Sequence, residues 1–222
     1  MIGLRLLLLL LAPGLVQAMP AAGDAQLSIC FNYGCVRQDE VHFRASTLRR
    51  VAAGLDLATT AAQERAQVGE AVGRLYRLAA LQTPVGADRG GNYLDGGVTG
   101  RMDCIDHSTS TTRMLQLLES RGMLRFHRVL QPERRTRFIF QHFSAVLEEL
   151  SLAACLERLP SAAAPGRCDG IEDERIDEGP VGAETARPGK RYVVDSWFVD
   201  NGEPAVVLPL VEWLNGGGPN VQ

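Results

Sequence analysis

The sequence predicts an α+β fold in which helices come first and an antiparallel sheet follows. Three observations carry this. Apolar residues recur at helical spacing over 46–82 and again after residue 103. Beyond residue 122 the period changes to two, and near the C-terminus Asn201-Gly202 separates two β-rich runs. The chain has 222 residues, 45% of them hydrophobic and 22% charged, which is enough to bury one core without metals, most simply as a single domain. Lys and Arg number 23 against 26 Asp and Glu, a net charge of -3. Nucleic-acid or anionic-membrane binding would need a basic surplus, so neither is expected.

Residues 1–18 read as a secretory leader. Arg5 supplies the positive charge, 6–11 is a leucine run, and Val16-Gln17-Ala18 is a small-residue cleavage site. Pro13 and Gly14 interrupt the apolar stretch, which falls short of the roughly 20 residues that span a bilayer. The expectation is a single domain over 19–222, periplasmic or secreted, with no transmembrane span after leader removal. The competing reading is an uncleaved anchor.

Five cysteines in an exported chain leave one over. Cys30 and Cys35 flank Asn32, Tyr33 and Gly34, a turn that a short disulfide would close. Cys155 and Cys168 bracket Pro160, Pro165 and Gly166 and would staple that segment. This pairing leaves Cys104 free. Other connectivities, including four free thiols, remain open at this level.

The elements follow in order. A helical scaffold over 45–83 starts with Ser46 as cap, and Thr60 with Gln63 makes a second capping pattern. Val68, Val72, Leu75, Tyr76 and Ala79 form its apolar face, and Pro84 ends it. Residues 85–100 hold six glycines and read as a long loop, a type often functional, without any phosphate-binding fingerprint. A helix then opens at Cys104, with Asp103 as N-cap, Asp106 in the capping-box position and Gly122 as terminator. Leu115 and Leu118 share the Cys104 face, as do the small Ser108 and Thr111. Strands follow at 125–130 and 137–149, the latter placing Phe138, Phe140, His142, Ser144 and Val146 on one face. Residues 150–190 are a mixed insertion with a short helix around Cys155. Its acidic group, Asp169, Glu172, Asp173, Glu174, Asp177 and Glu178, lacks EF-hand spacing and reads as a solvated loop. Residues 191–199 and 205–208 form a closing hairpin.

One set of residues has the make-up of covalent catalysis. Cys104 opens a helix, and a helix N-terminus and a neighbouring imidazolium both favour the thiolate that attacks carbonyls. His142 would shuttle the proton, and Asp195 would bond its other ring nitrogen and fix its orientation. Asp103 and Asp106 oppose activation unless capping engages them. Trp197 shares the Asp195 face and would shield the cluster, although a core role is the plainer one. The Cys104 N–H is the first choice as oxyanion donor, ahead of Asn92 and Gln141. His107 lies one turn from Cys104 but without an orienting carboxylate in view. His127 is expected to face solvent or the sheet edge, and His42 has no role.

The stretches DCIDHSTSTTRMLQLLESRGM, RFHRV, QHFSAVLEE and RYVVDSW, over 101–197, resemble the transglutaminase-like cysteine proteinase superfamily, bacterial periplasmic type. There a cysteine opens a helix, a histidine follows on a strand, and an aspartate comes in a Val-Asp pattern. Asp103-Cys104-Ile105-Asp106, His142-Phe143-Ser144-Ala145-Val146 and Val194-Asp195-Ser196 stand at those places. The resemblance implies a papain/transglutaminase-like core over 101–199, the N-terminal helices packed on its sheet, with the 150–190 insertion looped out. It implies a Cys104–His142–Asp195 triad acting on a protein or peptide substrate of the cell envelope, through an acyl-enzyme released to water or to an amine. No cofactor is expected. Calcium, held by an acidic residue after the cysteine in the bacterial proteinases, is poorly supported, since Ile105 stands there and only Asp103 matches. The rival class is a non-catalytic binding or envelope-interaction module on the same fold, with Cys104 used for packing.

Overall fold

The computed structural model describes residues 23–158, 168–171 and 189–219. The leader expected over 1–18 and the acidic residues from Glu172 to Glu178 lie outside them. The fold is α+β with two antiparallel sheets.

The chain opens on strands and not on helices. β1 (Ala25–Phe31) and β2 (Arg37–Phe43) pair from Ala25↔Phe43 to Phe31↔Arg37. Ile29, Phe31, Val41 and Phe43 from this hairpin enter the main core. Cys30 and Cys35 are disulfide-bonded across its turn, with Cα atoms 4.6 Å apart. Asn32, Tyr33, Gly34 and Cys35 all take positive φ, between 58° and 66°. Three of the four carry a Cβ, so this backbone persists only because its surroundings hold it.

α1 (Ala45–Leu55) and α2 (Ala61–Ala79) form the scaffold. α1 begins after Arg44 with no side-chain cap, so Ser46 lies inside the first turn and does not cap it. Thr60 does cap α2, accepting from the Gln63 N–H, while the Gln63 side chain reaches back to the Thr59 N–H. Two glycines let α2 lie against the loop between the last two strands of the chain. A Cβ on Gly69 would sit 2.6 Å from the Ala205 carbonyl oxygen, and one on Gly73 2.5 Å from that of Glu203. Bare backbone at these positions is what the close approach requires.

α3 (Cys104–Ser120) runs through the centre, with Met114, Leu115 and Leu118 fully buried. The second sheet has the order β3-β4-β5-β6, from β3 (His127–Arg137), β4 (Phe140–Glu149), β5 (Arg191–Asp195) and β6 (Val206–Pro209). β3 runs on well past the apolar stretch that announced it, through an irregularity between Leu130 and Glu133 that contains Pro132. Between β4 and β5 come α4 (Leu152–Arg158) and the disulfide Cys155–Cys168, with Cα atoms 6.0 Å apart. β4 and β5 are neighbouring strands, and at the two ends of the intervening segment the Glu149 N–H donates to the Lys190 carbonyl at 2.8 Å. α5 (Leu210–Leu214) closes the described chain.

Both faces of this sheet are covered. Ala145, Leu147 and Val194 join the main core, while Val146 and Val193 pack with Trp197, Phe198 and Trp213 on the other side. Double coverage explains why β4 reads as a continuous Ser-Ala-Val-Leu run there. No helix among the described residues is long and apolar enough to cross a membrane.

Candidate functional site

α3 begins where it does because Asp103 caps it. Its Oδ1 accepts the N–H groups of Ile105 (3.0 Å) and Asp106 (2.9 Å), and Asp106 Oδ2 accepts the Asp103 N–H in return (3.1 Å). The same two carboxylates grip the β1–β2 turn. Tyr33 and Cys35 donate their N–H groups to Asp106 at 2.8 and 2.6 Å, and Gly34 donates to Asp103 at 2.9 Å. Successive left-handed residues turn their amides to one side and make an anion cradle. Both anions beside Cys104 are thus engaged. Burial, with Asp103 close by, pushes the Asp106 carboxyl up to about 6.

Cys104 is the first residue of α3, half-buried, and the one free cysteine. Its Sγ lies 4.0 Å from the Gln141 carbonyl oxygen. The N–H groups of Phe143 and of Cys104 itself favour the thiolate, but burial first, and the charges of Asp103 and Asp195 after it, push the thiol up to about 11. The helix N-terminus alone predicts the opposite direction. Its pull is weak because the next two amides, Ile105 and Asp106, are spent on Asp103.

The sheet register sets His142 beside Asp195. Val146 faces Val193 and Ala145 faces Val194, so one further step brings Asp195 opposite Ser144. His142 is then a diagonal neighbour on the same face, within reach of a ring. Its Nε2 meets Asp195 Oδ2 at 2.7 Å. That oxygen also accepts from Trp213 Nε1 (2.9 Å), and Oδ1 accepts the Trp197 N–H (3.2 Å). Trp197, Phe198 and Trp213 surround the imidazole at centroid distances of 4.8, 5.5 and 5.6 Å. Nδ1 makes no hydrogen bond among the described residues. Cys104 touches the strand at both residues flanking this histidine, so the structure brings together the three residues singled out in the sequence.

The 85–100 loop borders this arrangement. Gly91 donates its N–H to the Trp197 carbonyl at 2.8 Å. A Cβ on Gly90 would come within 2.7 Å of the Phe198 carbonyl oxygen. Tyr93 lies 58% exposed with its ring 4.8 Å from Trp197, and its hydroxyl feels Cys104, Asp195 and Arg135. Asn92 donates to Asp95 at 2.6 Å and is engaged there. Gln141 offers only its backbone oxygen to the sulfur. The Cys104 N–H meets no acceptor other than its own sulfur among the described residues, which leaves it as an oxyanion donor.

Two other histidines differ from expectation. His107 has an orienting carboxylate after all: Asp88, fully buried in the glycine-rich loop, meets Nε2 at 3.0 Å, while Ser196 Oγ holds Nδ1 at 2.9 Å. Ser196 continues to Thr111 (2.9 Å) and thence to Tyr76 (3.1 Å). His127 is wholly buried and faces neither solvent nor an open edge, because Glu64 Oε2 meets its Nδ1 at 2.7 Å. Sequence reasoning also missed Trp213, Tyr93 and Arg135. Arg135 donates to the Trp213 and Gly217 carbonyls at 2.6 and 2.9 Å and stacks over the Trp213 ring.

The residues present do not fit calcium. The Ile105 side chain offers no oxygen, and the Asp103 oxygens already accept three amides. The grouping of Cys30, Cys35 and Asp106 is no metal centre either, since both sulfurs are in the disulfide. Two open grooves of about 420 and 530 Å³ border Tyr192 and Pro209, and none of their lining residues belongs to the cysteine site.

The fold and site define an α+β protein with two disulfides and a free thiol beside a carboxylate-bound histidine. No family model, no curated protein and no solved structure matches the chain.

Proposed function

We propose that the protein is an exported thiol hydrolase, a cysteine peptidase or amidase on a papain/transglutaminase-like core. The observation that carries this is the placement of the free Cys104 against the backbone on both sides of His142, whose Nε2 is bound by Asp195. The two disulfides and the leader-like residues 1–18 favour a periplasmic or secreted site of action.

A thiol held at about 11 is protonated at neutral pH, so attack and deprotonation occur together. As Cys104 Sγ adds to an amide carbonyl, the proton passes to His142 Nδ1, and Asp195 stabilises the resulting imidazolium. The oxyanion takes the Cys104 N–H, the donor left unspent at the start of α3. The imidazolium then protonates the leaving amine as the C–N bond breaks. Water, deprotonated by His142, releases the acyl group and restores the thiol. Water is the default acceptor, because nothing in the site marks a pocket for a second substrate.

The second reading is a non-catalytic envelope module, and the upward displacement of the thiol is the observation in its favour. Turnover of a panel of peptides and amides by the wild type and by Cys104→Ala separates the two. Hydrolysis that vanishes in a folded variant supports the hydrolase. Hydrolysis that survives, or wild-type protein inert on every substrate and inert to iodoacetamide at Cys104, sinks it.

A further inference from the structure

The β3–β4 hairpin outruns its sheet. β4 pairs with β5 only over Ala145–Glu148, whereas β3 and β4 stay paired from Glu133↔Ser144 out to Arg137↔Phe140. The last pairs therefore form a two-stranded ribbon about 15 Å long at strand rise. Arg135 anchors its base through the Trp213 and Gly217 carbonyls. At its end Phe138, Ile139 and Phe140 are 95%, 86% and 68% exposed. Scattered exposed apolar residues need no explanation, but three consecutive large ones on a projecting tip do.

Charge and shape say what covers them. From 134 to 147 the chain contains no Asp or Glu, and Arg134, Arg135 and Arg137 stand directly behind the tip. Arg134 and Arg137 are exposed. Phe138 and Ile139 form the turn itself, Phe138 at φ 55°, and Phe140 opens β4, so the three exposed side chains present apolar surface around the tip rather than on one strand face. A rigid protein groove covers one of those directions. A fluid apolar medium surrounds them all, and guanidiniums just behind fit a layer of anionic headgroups. The net charge of -3 describes the whole chain, whereas this segment is locally basic.

We infer that the Phe138-Ile139-Phe140 tip inserts into the surface of an anionic lipid bilayer, with Arg134 and Arg137 contacting the headgroups. This stands independently of the thiol chemistry. If both hold, His142, two residues from Phe140, works at the membrane surface, and substrates tethered there have the advantage.

The test is sedimentation of the full chain, purified in its exported form, with vesicles of phosphatidylcholine alone or with a third phosphatidylglycerol. Wild type is compared with F138S/I139S and with R134Q/R137Q. All three share one N-terminus, so any contribution from it cancels. The expected result is binding to the anionic vesicles, weakened at least tenfold by F138S/I139S and severalfold by R134Q/R137Q, with unchanged Cys104 alkylation reporting an intact fold. Equal binding by wild type and F138S/I139S, or no binding by wild type, overturns the proposal. So does a wild-type dimer in light scattering that F138S/I139S dissolves, which would make a second copy the occupant. Binding to a peptide substrate that fails in F138S/I139S while vesicle binding persists assigns the tip to substrate and likewise overturns it.

Discussion

His107 and His142 each sit against a buried carboxylate, yet their ring nitrogens are engaged differently. His107 has both ring nitrogens occupied, by Asp88 and by Ser196, inside a relay that runs on to Thr111 and Tyr76. His142 has one nitrogen held and the other unengaged, with Cys104 touching the strand on either side of it. A histidine–carboxylate pair is therefore no signature of chemistry by itself. What separates the two is a nitrogen with no hydrogen bond among the described residues and a thiol against the strand on either side of that histidine. Ser196 follows Asp195 directly, so the closed pair also steadies the end of the strand that serves the open one.

The sharpest way to break this comparison is to blunt each carboxylate in turn. Asp195→Asn is expected to lower kcat by roughly 10²–10⁴, as loss of the orienting carboxylate does in hydrolytic triads. Asp88→Asn should leave kcat within about tenfold while costing about 1–3 kcal/mol of stability in urea unfolding, the cost of a buried bond left unmade. Equal effects on kcat would erase the distinction.

Next in size is Glu64→Gln, which strips charge from the acceptor of the His127 ring and of the Arg125 and Phe126 amides. It should destabilise by about 2–3 kcal/mol and leave the Cys104 alkylation rate unchanged.

A smaller effect tests the aromatic neighbour. Trp213→Phe deletes one donor to Asp195 Oδ2 and keeps a ring in the cluster. A loss of about 1 kcal/mol, roughly fivefold in kcat/KM, is expected from one hydrogen bond.

Alkylation against pH sharpens the chemical side. With the thiol pushed up to about 11, the iodoacetamide rate should climb through pH 7–10, and Asp103→Asn should shift that climb to lower pH by removing a charge that raises it. A rate already maximal near pH 6 would mean a preformed thiolate–imidazolium pair and defeat the concerted attack.

The smallest effect concerns Asp106. Its carboxyl is raised in the folded protein from 3.8 to about 6, so its contribution to stability is full below the lower value and lost as pH rises through the upper one. Tm should fall between about pH 4.5 and 7.5 on this account, a dependence that Asp106→Asn flattens.

Strong periodicity made much of the fold legible. α2, the helix from Cys104 and the hairpin across Asn201-Gly202 all lie where apolar spacing, caps and turn residues put them. The β1–β2 arms did not announce themselves, because Arg37-Gln38-Asp39-Glu40 is uniformly polar and leaves too short an alternation. At the site, residue type and order singled out Cys104, His142 and Asp195, which the structure sets near one another. The adjacent Asp103 signalled an upward push on the thiol, but the larger cause, burial, and the contribution of Asp195, distant in sequence, were not readable. The partners of His107 and His127 were hidden for the same reason: Asp88 and Glu64 lie 19 and 63 residues before the rings they hold.

The turn that grips Asp103 and Asp106 comes from the first strands of the described chain, and Trp213, which shares Asp195 with His142, from its last helix. The amide bonds to Asp106 span 71 and 73 residues. Contacts so distant along a chain form late, after the costly closure of large loops. The thiol therefore acquires its finished surroundings only when both ends have docked. A chain emerging N-terminus first carries Cys104 past its gripping turn early, but without an oriented histidine until the final segment is free. The order of assembly sets when these residues come together.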